Sequence, residues 1–173
     1  MRLFIATPVP AGLRRALTQT QAALGANGMR GRFSPPENLH MTLVFLGSVP
    51  DPAPVIEAMQ SVRLPETALR FDRLTLFGDV LVALYQPDDA LAAYAKALRC
   101  ALDAAGLPYD RQAFRPHITL CRKTALPAAC RFSTLERNLR GPLLRVKEAA
   151  LFCSDLSGET PRYTALHTER AKR

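Results

Sequence analysis

Three histidines are spread along the 173-residue chain, and two of them stand in one repeated pattern. Asn38-Leu39-His40-Met41-Thr42-Leu43 is echoed 77 residues later by Arg115-Pro116-His117-Ile118-Thr119-Leu120. In an extended strand alternate side chains share a face, so His40 and Thr42 point one way while Met41, Leu43 and Phe45 point the other. His117 and Thr119 share a face in the same manner, opposite Ile118 and Leu120. A lone strand histidine is usually structural, but packing does not require the same polar pair twice. Two such matches by chance have odds on the order of one in ten thousand at ordinary Thr and Leu frequencies. Two such strands side by side would face a cleft with two imidazoles and two hydroxyls.

That set suits attack on phosphorus. Opening a cyclic phosphodiester needs a base to take a proton from water and an acid to protonate the leaving oxygen. Histidine titrates near neutral pH, so one neutral and one protonated ring can coexist. Threonine hydroxyls can donate to the non-bridging oxygens, where charge gathers in the transition state. The scheme calls for no metal and no cofactor. Zinc would usually want a third ligand, and neither motif carries a Cys or carboxylate beside it. No G-x-S-x-G elbow, P-loop or G-x-G-x-x-G stretch is present, so a serine hydrolase and nucleoside triphosphate use have no support. His167 stands alone in Ala165-Leu166-His167-Thr168 and reads as a strand or surface residue. Leu43 and Phe45 read as core.

The elements that must hold these strands alternate along the chain. Strand patterns cover Leu3–Thr7, His40–Leu46 (stopped by Gly47), Leu69–Phe77, Val80–Tyr85, Phe114–Arg122, Leu143–Cys153 and Tyr163–Thr168. Helical stripes run from Ala11 to Leu24, from Asp51-Pro52 to Val62, and from Asp88 or Asp89 to Ala105. Residues 123–141 read as a loop with a short helix. Hairpin-like pairs beside helices point to a mixed α+β domain rather than a βαβ repeat. The duplicated motif points to two pseudo-symmetric lobes within one domain spanning 1–173.

Composition bounds the rest. Lys plus Arg total 23 against 15 acidic residues, a formal charge of +8 and a pI near 9.9, and only four of the basic residues are Lys. An arginine excess suits bidentate contact with an anionic partner, although a coding bias towards Arg, Ala and Pro produces the same count. Cys100, Cys121, Cys130 and Cys153 form no C-x-x-C pair, which excludes a zinc ribbon and a thioredoxin-type motif. They are expected to be reduced and mostly buried. The opening Met1–Pro8 is too short and too broken for a signal peptide, and no run approaches the roughly 18 apolar residues of a membrane span. A soluble, cytoplasmic protein with no membrane partner is expected.

At the two motifs the sequence resembles the 2H phosphoesterase superfamily. Arg2-Leu3-Phe4-Ile5-Ala6, the block Glu37–Gly47 and the block Phe114–Arg122 are similar to the RNA 2′,3′-cyclic phosphodiesterases, formerly called 2′–5′ RNA ligases. Ser154-Asp155-Leu156, Gly158 and Tyr163 resemble that family's C-terminal signature. The resemblance implies a bilobal fold, two antiparallel sheets facing a central cleft with helices outside. It implies metal-independent hydrolysis of RNA 2′,3′-cyclic phosphate ends to 2′-phosphates, with reversible 2′–5′ ligation as a second expected activity, in a monomer acting on RNA ends or cyclic nucleotides. It casts His40 as general acid at the 3′-oxygen, His117 as general base for water, and Thr42 and Thr119 as phosphate ligands.

Arg122 matches an arginine of the family's second motif near the phosphate. Strict alternation puts it opposite His117, so it reaches the phosphate only if the strand ends or bulges first. Otherwise it is a solvated strand-end arginine. Phe114, Arg115 and Tyr163 are candidates for contact with the nucleoside or cleft rim. Two other readings stand beside the enzyme: an RNA-end-binding module without turnover, and a phosphodiesterase of small cyclic nucleotides or ADP-ribose cyclic phosphate.

Overall fold

Short alternating runs cut by Pro and Gly make strands here, and apolar residues at i, i+3 and i+4 make helices. The computed structural model describes residues 1–171. The strands are β1 (Arg2–Pro8), β2 (Arg30–Phe33), β3 (His40–Ser48), β4 (Thr67–Leu69), β5 (Phe71–Phe77), β6 (Val80–Tyr85), β7 (His117–Ala125), β8 (Leu144–Val146), β9 (Glu148–Asp155) and β10 (Arg162–Arg170). The helices are α1 (Ala11–Ala26), α2 (Ala53–Gln60), α3 (Asp89–Ala104) and α4 (Phe132–Leu135), with 3-10 turns at Pro36–Asn38 and Arg137–Leu139. The protein is α+β.

The main sheet has eight strands in the order β10-β9-β1-β3-β7-β6-β5, with β2 added to β7. All its pairs are antiparallel. It consists of two four-stranded halves, and the motif strands β3 and β7 are where they meet. A single bridge joins them, Met41 to Ile118. The helices cross over. α1 follows β1 in the chain yet packs beside β7, whereas α3 follows β6 and packs beside β3 and α2. Each helix buries one stripe, Leu13, Leu17, Gln21 and Leu24 in α1 and Leu91, Ala95, Leu98 and Leu102 in α3. Asp88 caps α3 by accepting the Leu91 N–H at 2.8 Å, and it also accepts the Thr67 hydroxyl.

Several expected boundaries move for identifiable reasons. Leu143–Cys153 divides at Lys147, because β8 pairs with β4 in a small second sheet while β9 pairs with β1. Leu69 falls in that small sheet too, and β5 begins after it at Phe71. Gly47 does not stop its strand: at φ +78° it follows a bulge at Leu46, and β3 continues to Ser48. Phe114, Arg115 and Pro116 lie in the loop before β7. β2 falls in a segment to which the sequence assigned no element. It reaches β7 because Gly31 (φ +149°) has no side chain, and a Cβ there would stand 2.6 Å from the Cys121 sulfur. The four cysteines are unbridged, but only Cys121 is buried and Cys100 is exposed.

Candidate active site

Both motif strands carry a bulge at the same place. Ile5 pairs with Val44 and Ala6 with Thr42, so Leu43 is an extra residue in β3. Leu81 pairs with Cys121 and Val82 with Thr119, so Leu120 is the extra residue in β7. One extra residue reverses the alternation that follows it. The residue five places after each histidine therefore returns to the histidine's face. In β7 this is Arg122, which meets the condition for reaching the cleft. In β3 it is Phe45, a correction to the core reading: Phe45 is half-buried in a pocket with His117, and the Arg2 guanidinium lies 4.8 Å over its ring.

The β7 bulge is held from behind. Gln21, buried on α1, donates from its amide nitrogen to the Leu120 carbonyl and to the Ser34 carbonyl, each at 2.9 Å. The Ser34 N–H also donates to the Leu120 carbonyl. Gln21→Met keeps the volume and removes both bonds from a buried site. It is expected to lower the unfolding free energy by about 1–3 kcal/mol, measured by chemical denaturation.

The Met41–Ile118 bridge sets the register of the two motifs. Stepping one residue either way puts His40 across from Thr119 and His117 across from Thr42. The cavities follow this crossed pairing. His40, Thr119, Arg122, Phe33, Arg32 and Tyr163 line a cleft of about 400 Å³. His117, Thr42, Phe45, Phe114 and Arg115 line a smaller pocket of about 120 Å³. Tyr163 thus sits on the His40 side, while Phe114 and Arg115 sit on the His117 side.

The two imidazoles are held alike. Nδ1 of His40 is 2.7 Å from the Asn38 carbonyl, and Nδ1 of His117 is 2.6 Å from the Arg115 carbonyl. A carbonyl only accepts, so Nδ1 carries the hydrogen in both rings and Nε2 is left to exchange protons. Nε2 of His40 lies 3.1 Å from the Thr42 hydroxyl. His40 packs against Phe4 (centroids 4.9 Å) and the edge of Tyr163 (5.4 Å), and His117 against Phe77 (5.1 Å). Burial pushes both histidines below the ordinary value of 6.5, the positive charge of Arg122 adds to this at each, and the backbone carbonyls partly offset it. Both rings are mostly neutral at pH 7, and a bound anion would raise both.

The sequence reading missed Phe4, Phe33 and Phe77, all near the imidazoles. Phe33 had a faint signal, an aromatic beside Arg30 and Arg32, but its strand is only four residues long. His167 lies on β10, its Nε2 2.6 Å from a Glu169 carboxylate oxygen, away from the cleft lining. Among the described residues no group of three or more His, Cys, Asp or Glu is placed to hold a metal ion.

Two imidazoles and two hydroxyls face a cationic cleft, and the chain belongs to the LigT-like phosphoesterases of the 2H type. The family model matches twice, over residues 7–85 and 82–163. The RNA 2′,3′-cyclic phosphodiesterase of Geobacillus stearothermophilus is 28% identical over 174 residues, covering 94% of this chain and 55% of that protein. The chain thus spans about half the length of that relative. E. coli LigT in apo form superposes with a TM-score of 0.80 at 26% identity, covering 99% of this chain and 98% of that one. The same protein complexed with 3′-AMP gives 0.77 at 27%, with the same coverage. A Thermus thermophilus protein, TT0787, gives 0.79 at 29%, covering 98% and 97%. Among the described residues no helix is long and apolar enough to cross a membrane.

Proposed function

We propose that this phosphoesterase opens RNA 2′,3′-cyclic phosphate ends to 2′-phosphomonoesters with its two histidines as acid and base. The observation that carries this reading is the matched fixing of both rings, each giving its Nδ1–H to the carbonyl two residues earlier. That leaves one Nε2 on each side of the place a phosphorus would occupy. The unequal cavities support the division of roles. The larger, on the His40 side, has room for the terminal nucleoside and the leaving 3′-oxygen. The smaller, on the His117 side, has room for water. His117 Nε2 takes the water proton, the new P–O bond forms, the P–O3′ bond breaks, and protonated His40 gives its proton to O3′. Thr42, Thr119 and Arg122 hold the non-bridging oxygens. A 5′-hydroxyl in place of water gives a 2′–5′ linkage by the same exchange. That the E. coli relative is complexed with 3′-AMP supports a nucleotide ligand.

In this reading the two lobes form one pseudo-symmetric domain, with the dyad at the Met41–Ile118 bridge, and the protein acts as a monomer in the cytoplasm. Incubation with nucleoside 2′,3′-cyclic monophosphates and with a cyclic-phosphate-ended oligonucleotide tests it. The expected products are 2′-phosphates, formed equally well in EDTA. Oligonucleotide binding without turnover would favour the tethering module, and cleavage of the small cyclic compounds alone would favour the small-substrate enzyme.

The lowered histidines carry a pH expectation. kcat/KM reports the free protein, where the acid loses its proton as pH rises through its depressed value. Its alkaline limb should therefore fall below pH 6.5, the unshifted histidine value. kcat reports the complex, in which the phosphate anion favours the imidazolium, so its limb should lie at higher pH. Steady-state profiles with both limbs above pH 7 would contradict this.

A further inference from the structure

The pocket beside His117 contains a second cation that the reaction does not use. Arg99, on α3, lines it together with Arg115, Gln112 and Asp110. Arg99 is half-buried, and its Nε–H is fully buried with no hydrogen-bond partner among the described residues. Neither Arg99 nor Arg115 has a carboxylate within salt-bridge distance among the described residues. The one carboxylate lining the pocket, Asp110, takes the Gln112 N–H at 2.9 Å instead. The Arg115 guanidinium carbon lies over Phe77, 4.0 Å from the ring centroid, which limits its freedom.

Two guanidinium groups lining one pocket without carboxylate partners are complementary to an anion. The pocket holds about 120 Å³. A phosphate group fits that space. The reacting phosphorus cannot be this anion, since it must lie between the two imidazoles. From these observations we propose that Arg99 and Arg115 form a second phosphate subsite that takes an internucleotide phosphodiester of the substrate strand. It rests on the phosphoesterase reading and makes that site one for oligonucleotides rather than for isolated cyclic nucleotides. The phosphodiester has two possible sources: the strand that ends in the cyclic phosphate, or an incoming strand that presents its 5′-hydroxyl to His117.

Arg99→Gln tests the subsite. For a nucleoside 2′,3′-cyclic monophosphate, with its single phosphate, kcat/KM should stay within about twofold of wild type. At least one of two phosphate-bearing reactions should lose about 10-fold or more, as expected for a lost charge-assisted hydrogen bond. Loss in hydrolysis of a cyclic-phosphate-ended oligonucleotide assigns the first source. Loss in joining to a 5′-hydroxyl dinucleotide, but not to a nucleoside, assigns the second. Equal losses on every substrate, or none on any, overturn the proposal. A binding measurement separates it from the catalytic reading. With both motif histidines changed to Asn, the salt dependence of oligonucleotide affinity should fall by about 0.7 in log–log slope when Arg99 is replaced. An unchanged slope overturns the subsite. A reduced slope in a protein whose wild type hydrolyses no cyclic phosphate overturns the phosphoesterase reading and leaves the subsite standing.

Discussion

Alanine at His40 or at His117 is expected to lower kcat by at least about 10²-fold each, because a positioned proton donor or acceptor contributes about 10²–10⁴-fold. The two rings serve one displacement, so their losses should not multiply. The double variant should retain more activity than the product of the single effects predicts. His40 also packs against both Phe4 and Tyr163, and its removal leaves a gap. His40→Gln, which keeps bulk without a titrating nitrogen, serves as the control. Thermal unfolding of each variant should show a folded protein. Near-wild-type turnover in either folded alanine variant rules out the two-histidine mechanism.

The second large effect belongs to Arg122. A guanidinium on a phosphate oxygen is a charge-assisted contact whose loss costs about 10- to 150-fold. Arg122→Ala should lower kcat/KM for cyclic phosphates by that order, and Arg122→Lys should recover only part, since an ammonium lacks the planar fork. Arg122 is exposed and has no salt-bridge partner among the described residues, so unfolding free energy should move by no more than about 0.5 kcal/mol. The variant also has a distinctive pH signature. The charge of Arg122 pushes both histidines down, so without it the kcat/KM profile should shift to higher pH. A strand-end arginine standing only in solvent would produce neither effect.

The two cleft-facing pairs were legible because they are local: His40 with Thr42, and His117 with Thr119, follow from period-two alternation within four residues. The α+β class was legible for the same reason, from stripes and turns read one segment at a time. What escaped depends on pairing between distant segments. Leu43 and Leu120 are bulged because of their partners in β1 and β6, not because of their own chemistry, and so Phe45 was placed on the wrong face. β2 is a strand only because β7 lies beside Gly31. Phe77, near His117, belongs to a hairpin far from either motif, and no local pattern marks it.

The bridge between the two halves of the sheet has a practical corollary. Its residues, Met41 and Ile118, are fully buried and carry no polar side-chain group. The interval between the two imidazoles is thus governed by aliphatic bulk on the hidden face, while charge and proton affinity are governed by groups on the open face. Ile118→Val or Met41→Leu changes the first and leaves the second untouched. Reach and acidity, usually altered together when a catalytic site is redesigned, are here separately adjustable.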